Sequence, residues 1–229
     1  MKIAANNPEL KSWVAVPSQS DFPIQNLPFG IFSVSKNAPS VGVRIGDMVL
    51  DLAKVSSLGY FDELNIDTSV FSQSTLNPFI STGQKNWRST RNKVSELLQT
   101  GSALEKDAAK VLVSITEVTM HMPIQVGDYT DFYSSIEHAT NLGKLFRPNG
   151  EPLFPNWRHI PVGYHGRASS IVVSGTDIHR PKGQVKADDK TMPSFGASRL
   201  LDFELEVAFI TGTKTKLGES IPVEEAENH

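Results

Sequence analysis

The chain has 229 residues, enough for one large domain or two small ones, and its 39% hydrophobic and 21% charged content is that of an ordinary soluble globular protein. A net charge of −3 gives no basis for nucleic acid or an anionic membrane surface as partner, and the absence of cysteine excludes disulfides, thiolate zinc sites and Cys nucleophiles. No apolar run approaches the ~20 residues that span a bilayer, and Met1–Leu10 lacks the apolar core of a secretory signal, so the expectation is a cytoplasmic protein with no nucleic-acid or membrane partner.

Residues 1–30 are rich in Pro and Asn and predict an extended, turn-rich segment. Gly30–Val34 predicts a short strand. Val41–Ile45 and Met48–Leu52 flank Gly46-Asp47, a two-residue hairpin signal. Between about 60 and 112 the pattern changes. Trp87, Arg91, Val94, Leu97 and Leu98 follow helical spacing with Gly101 as a stop, and Glu105–Val113 predicts a second helix. From Met120 the chain reads as strand and loop again, punctuated by Gly and Pro. Ser170–Ser174 predicts a strand, 182–198 a polar loop rich in Lys, Asp and Gly, and Leu201–Thr211 the clearest strand of all. The expected fold is mainly β with some α. Its expected domains are 1–118 and 119–229, with no internal repeat.

Two acidic clusters carry the chemistry. The first, Gly127–His138, packs two Asp, three aromatics, a Glu and a His into twelve residues. Carboxylates beside aromatics suit a partly dry pocket in which a carboxylate holds a metal and a His moves a proton. In the second, Asp202, Glu204 and Glu206 alternate with Phe203, Leu205, Val207 and Phe209, which in a strand places three carboxylates on one face. Neighbouring carboxylates there lie ~7 Å apart and repel wherever water is excluded. A hard divalent cation such as Ca²⁺ or Mg²⁺ would offset them, with Asp131 as a further oxygen ligand. An amphipathic strand with a solvated acidic face fits the same pattern equally well.

Of the six His, His121, His159, His179 and His229 stand in ordinary contexts. His138 follows Asp131 by seven residues and falls in the first turns of a helix if Ser134 caps it, among groups that suit a general base. Gly163–Ser170 is a Gly-bracketed loop whose Tyr164 and Arg167 could hold a carboxylate, and Arg147 is a second candidate anion anchor. A demanding turn and a solvated Arg are the competing readings. The Gly spacing is that of neither a phosphate-binding nor a dinucleotide loop, and no serine-hydrolase elbow or zinc-protease motif occurs.

Several long segments together resemble the fumarylacetoacetase (fumarylacetoacetate hydrolase) family: Asp21–Gly30, Gly127–Ser135, His138–Asn141, Pro155–Trp157, Pro161–Ser170 and Leu201–Glu206. They follow one another in order from about residue 20 to the end of the chain. The resemblance implies an N-terminal SH3-like barrel followed by the first part of a β-sandwich roll that carries the active site. It implies hydrolysis of the carbon–carbon bond of 4-fumarylacetoacetate to fumarate and acetoacetate, the last step of tyrosine and phenylalanine catabolism. It implies Asp131, Glu204 and Glu206 as metal ligands, His138 as the base that activates water, and Tyr133, Arg147 and Tyr164 as substrate contacts. Ca²⁺ with Mg²⁺ nearby, and a homodimer in the full-length form, follow from it as well.

The family continues beyond the position matching His229 into an Asn-Asp-Trp-Ser-Ala-Arg-Asp motif and further catalytic groups. The expectation is therefore a C-terminally truncated form, inactive or nearly so on its own. The alternatives are another β-diketone or acylpyruvate hydrolase of the same superfamily, or a non-catalytic cation-binding fragment.

Overall fold

Strand pairing in the first hundred residues starts from turns that the sequence dictates. The computed structural model describes residues 4–229. Strands β1 (Phe29–Val34), β2 (Ser40–Ile45) and β3 (Met48–Asp51) form an antiparallel meander. Ile45 pairs with Met48 across the Gly46-Asp47 turn, and Gly46 takes the left-handed conformation (φ +52°) that a tight hairpin requires. The expected strand at Met48–Leu52 stops one residue early. Asp51 instead caps helix α1 (Leu52–Ser57), its Oδ1 accepting the Lys54 N–H at 3.2 Å.

The short helix α2 (Asn77–Ile80) precedes α3 (Gln84–Leu98), the helix expected from the Trp87–Leu98 spacing, which buries Val94, Leu97 and Leu98. Gly101, at φ +83°, turns the chain after it. The second helix expected over Glu105–Val113 is broken. A 3-10 turn over Ala103–Asp107 leads into α4 (Ala108–Val111), and the chain then extends as β4 (Leu112–Ser114) because Leu112 and Val113 pair with Leu50 and Val49. With β5 (Val118–His121) the sheet has the order β4-β3-β2-β1-β5.

At the centre of this sheet β1 and β2 are covered on both faces, which is why Ile31-Phe32-Ser33 and Val41-Gly42-Val43 are buried without alternation. A side chain at Gly42 would stand 2.6 Å from Val49 Cγ1 and 2.7 Å from Phe32 Cδ1, so only glycine admits the Phe32 ring. On the helical side, Phe61, Phe71 and Phe79 form a chain of ring contacts that ends on Phe29. Of the segment expected to be turn-rich, residues 1–3 lie outside the described residues, and Trp13 and Gln25 are each bonded to α3. Trp13 Nε1–H donates to Leu97 O (2.9 Å), and Arg91 Nη2 donates to Gln25 O (2.7 Å).

The chain divides into two compact units: residues up to Pro123 together with Val173–His229, and Ile124–Val172. The second holds β6 (Thr130–Tyr133), α5 (Ile136–Phe146) and β7 (Val162–His165), with β6 and β7 antiparallel. Beyond it, β8 (Lys182–Val185) and β9 (Ser194–Ala197) form a hairpin inside the stretch expected to be loop.

Two expected strands are not formed. Ser170–Ser174 contains the end of a 3-10 turn and unpaired coil. Leu201–Thr211 forms no strand despite its alternation, because a strand exists only with a ladder partner and none is found among the described residues. Its apolar positions lie open to solvent, Leu205 at 96% and Val207 at 99% exposure. The fold is mainly β with some helices, and among the described residues no helix is long and apolar enough to cross a membrane.

Candidate functional site

Residues 124–172 gather most of the side chains that the sequence singled out. In the β6–β7 pair Asp131 stands directly opposite Tyr164, and Tyr133 opposite Val162. Directly paired residues share a face, as do residues two apart along one strand, so Asp131, Tyr133 and Tyr164 lie together on one side. Tyr129, two residues before Asp131, continues that face.

Two phenols converge on one carboxylate oxygen. Tyr129 Oη and Tyr164 Oη each donate to Asp131 Oδ2 at 2.9 Å. These bonds stabilise the charged form, so the Asp131 carboxyl is held below its ordinary range, by Tyr129 first and Tyr164 second. Both donors are neutral, so the carboxylate keeps its full charge. The sequence reading gives Tyr129 no role; its position two residues before Asp131 in a strand was the available signal.

The expected loop begins instead as strand, with Gly163 inside β7 and Gly166 just beyond it, and both glycines follow from the same packing. Gly163 lies against the Phe132 ring on the opposite face, 2.8 Å from where a side chain would begin. Gly166 lies under the Tyr129 ring, and a Cβ there would collide with Tyr129 Cδ1 and Cε1. The Gly166 N–H also donates to Tyr129 O (2.8 Å), which locks that tyrosine to the neighbouring strand.

His138 sits in the first turn of α5. The helix is capped by Ser135, one residue later than expected, with Ser135 Oγ accepting the His138 N–H (3.3 Å). The His138 ring meets the Tyr133 ring edge-on at 5.2 Å and 75°. Arg147 ends the helix and holds the following loop. Its Nε donates to Glu151 O (3.3 Å), its Nη2 donates to Pro152 O (2.6 Å), and its guanidinium lies over Phe154.

Glu204 and Glu206 belong to the other unit, on the exposed 201–211 segment, where Asp202 Oδ1 turns back to accept the Phe203 N–H. Among the described residues no three His, Asp or Glu side chains gather as a metal-binding group. The donor set read from the sequence is nonetheless uniform in chemistry: Asp131, Glu204 and Glu206 are carboxylates, and Asp131 is held ionised. That chemistry fits a hard divalent cation.

The family model for the fumarylacetoacetase N-terminal domain matches residues 25–123, and the model for the fumarylacetoacetate hydrolase C-terminal domain matches 129–229. The chain belongs to the fumarylacetoacetate hydrolase family. Proteins named fumarylacetoacetase resemble it closely. That of Caenorhabditis elegans is 51% identical over 225 residues, 96% of this chain and 54% of the relative. That of Dictyostelium discoideum is 49% identical over 227 residues (96% and 53%), and that of Homo sapiens 48% over 223 residues (95% and 53%). The chain thus spans about half the length of the curated relatives it matches. Within the fumarylacetoacetate hydrolase C-terminal match lie both the Tyr129–Asp131–Tyr164 cluster and the Tyr133–His138 pair.

Proposed function

We propose that this chain carries part of the machinery of a fumarylacetoacetase, which hydrolyses the carbon–carbon bond of 4-fumarylacetoacetate to fumarate and acetoacetate in tyrosine and phenylalanine catabolism. The observation that supports it most is the ionised Asp131 held by two phenols, on the strand face that ends at Tyr133 against the His138 ring. The reading includes an SH3-like barrel domain over residues 1–118, the catalytic region over 119–229, a cytoplasmic location and a homodimer for the full-length form.

Asp131, Glu204 and Glu206 would hold a divalent cation, Ca²⁺ or Mg²⁺. When bound, it would polarise the diketone oxygens of the substrate and stabilise the enolate that leaves. His138 accepts a proton from water, which attacks the carbonyl carbon, and the proton then passes to the carbanion as the bond breaks. Capping by Ser135 sets the His138 backbone at the start of α5, and the Tyr133 ring stands against the imidazole at a steep angle. Tyr133, Tyr164 and Arg147 orient the substrate through its oxygens and carboxylate.

The test follows the fumarylacetoacetate absorbance with the 229-residue chain and with any longer form its gene encodes, with and without Ca²⁺ or Mg²⁺. The short chain is expected to be inactive or nearly so, and a longer form active. In an active form, His138→Ala should lower kcat by about 10²–10⁴-fold, the usual contribution of a general base. Full activity of that variant would refute the assignment. Turnover of a different β-diketone or an acylpyruvate in place of fumarylacetoacetate would move the reading to another member of the superfamily.

A further inference from the structure

We propose that Tyr129 is a positioning residue that orients Asp131 for a hard divalent cation, acting through the carboxylate and not on substrate. The inference rests on the reading of Asp131 as a cation ligand. Tyr129 and Tyr164 reach the same oxygen, Oδ2, at the same 2.9 Å, but they are built differently. Tyr164 is 59% exposed at the surface of the strand pair, where a ligand arriving from outside would meet it. Tyr129 is half-buried, and its carbonyl takes the Gly166 N–H while its ring lies against Gly166, where a side chain would collide with it. A phenol clamped from the neighbouring strand in this way keeps its bond to Asp131 whatever Tyr164 does.

The choice of donor is itself informative. An ammonium or guanidinium at this position would fix the carboxylate but would repel an arriving cation. A neutral phenol fixes the carboxylate and leaves its charge intact. By holding Oδ2 it sets the rotation of the carboxylate and so the direction of Oδ1, so less ordering remains to be done when a cation binds. Partners of this kind, bonded to a ligand and not to the metal, typically contribute ten- to a hundredfold in metal affinity.

The experiment titrates the 229-residue chain with Tb³⁺, a hard cation with Ca²⁺-like ligand preference, and reads the midpoint of sensitised emission alongside the melting temperature. The midpoint is the readout because the phenol at 129 also contributes to emission amplitude. Asp131→Asn tests the underlying reading, and Tyr129→Phe, which keeps the ring over Gly166 and removes only the hydroxyl, tests the inference. The expected result is loss of the Asp131-dependent phase in D131N and a midpoint raised about ten- to a hundredfold in Y129F at an unchanged melting temperature. Gly166→Ala, which displaces the ring, should raise the midpoint likewise. An unchanged midpoint in Y129F with a lost phase in D131N overturns the inference and leaves the reading intact. A Y129F midpoint that moves only together with a fallen melting temperature assigns Tyr129 a structural role and overturns it too. No difference between D131N and the parent chain overturns both.

Discussion

Replacing Gly143 by Ala sets two well-known effects against each other. Gly143 is the eighth residue of α5, and in an exposed helix interior Gly→Ala stabilises by ~1 kcal/mol. Here a Cβ would run into the backbone of Pro152, its carbonyl oxygen first. A backbone carbonyl cannot rotate aside as a side chain does, so the 147–154 loop must retreat by roughly 1–2 Å, a form of overpacking that costs ~1–3 kcal/mol. That same carbonyl accepts from Arg147 Nη2, so the retreat also weakens a hydrogen bond from a charged donor, worth ~1.5–3 kcal/mol. After the helix-propensity gain, a net destabilisation of about 1–4 kcal/mol is expected, confined to residues 124–172. Hydrogen exchange across 136–154 reads it directly. The Arg147 amide, bonded to Gly143 O, and the Gly150 amide, bonded to Arg147 O, should exchange about tenfold to a thousandfold faster. Slower exchange or a raised melting temperature in G143A would show that the loop does not seat on Gly143, and the reasoning would fail.

Other expectations concern the first unit. Phe71, fully buried between the Phe61 and Phe79 rings, should cost about 3–5 kcal/mol when replaced by Ala, read as a lower urea midpoint. Asp51→Ala removes the cap of α1 and should destabilise by about 0.5–2 kcal/mol in the same assay. The Asp107 carboxyl is held below its ordinary range, first by the Lys110 ammonium and then by the Tyr60 hydroxyl, each 2.7 Å away. A depressed carboxyl contributes stability that is present above its unfolded value, near ~3.9, and lost as pH falls through the lower folded value. Melting temperatures from pH 7 to pH 2 should therefore show Asp107→Asn below the parent chain at neutral pH, with the two curves converging in acid; parallel curves would show that the carboxyl does not titrate with folding.

What the sequence made legible follows from which signals are local. The β2–β3 hairpin was readable because Gly46-Asp47 determines a turn by its own backbone preferences, and α3 because five residues repeat with the period of a helix. The β8–β9 hairpin was not, since all but one of its residues are exposed and its Lys, Gly and Ser content is that of a loop; cross-strand hydrogen bonds alone define it. In the site, Asp131, Tyr133, His138 and Tyr164 stood out by type and by resemblance. The convergence of two phenols on one oxygen depends on Asp131 pairing with Tyr164 across β6 and β7, and a register between strands thirty residues apart is not written in either strand by itself.

The acidic face of 201–211 shows where a sequence argument depends on an unstated environment. Alternation predicts a strand with three carboxylates on one face, and their repulsion calls for a cation only where water is excluded; a solvated acidic face satisfies the same pattern. On an exposed segment, two charges ~7 Å apart in water interact by only about the thermal energy RT, so the repulsion needs no counter-ion to be tolerated. Asp131 differs, because two protein donors already favour its charge. It follows that in the 229-residue chain Glu204→Gln together with Glu206→Gln should change the urea midpoint by less than the equivalent of about 0.5 kcal/mol, as exposed substitutions do. A stabilisation well beyond that would mean that these carboxylates strain the chain as it stands, and the cation demand read from the sequence would hold even without burial.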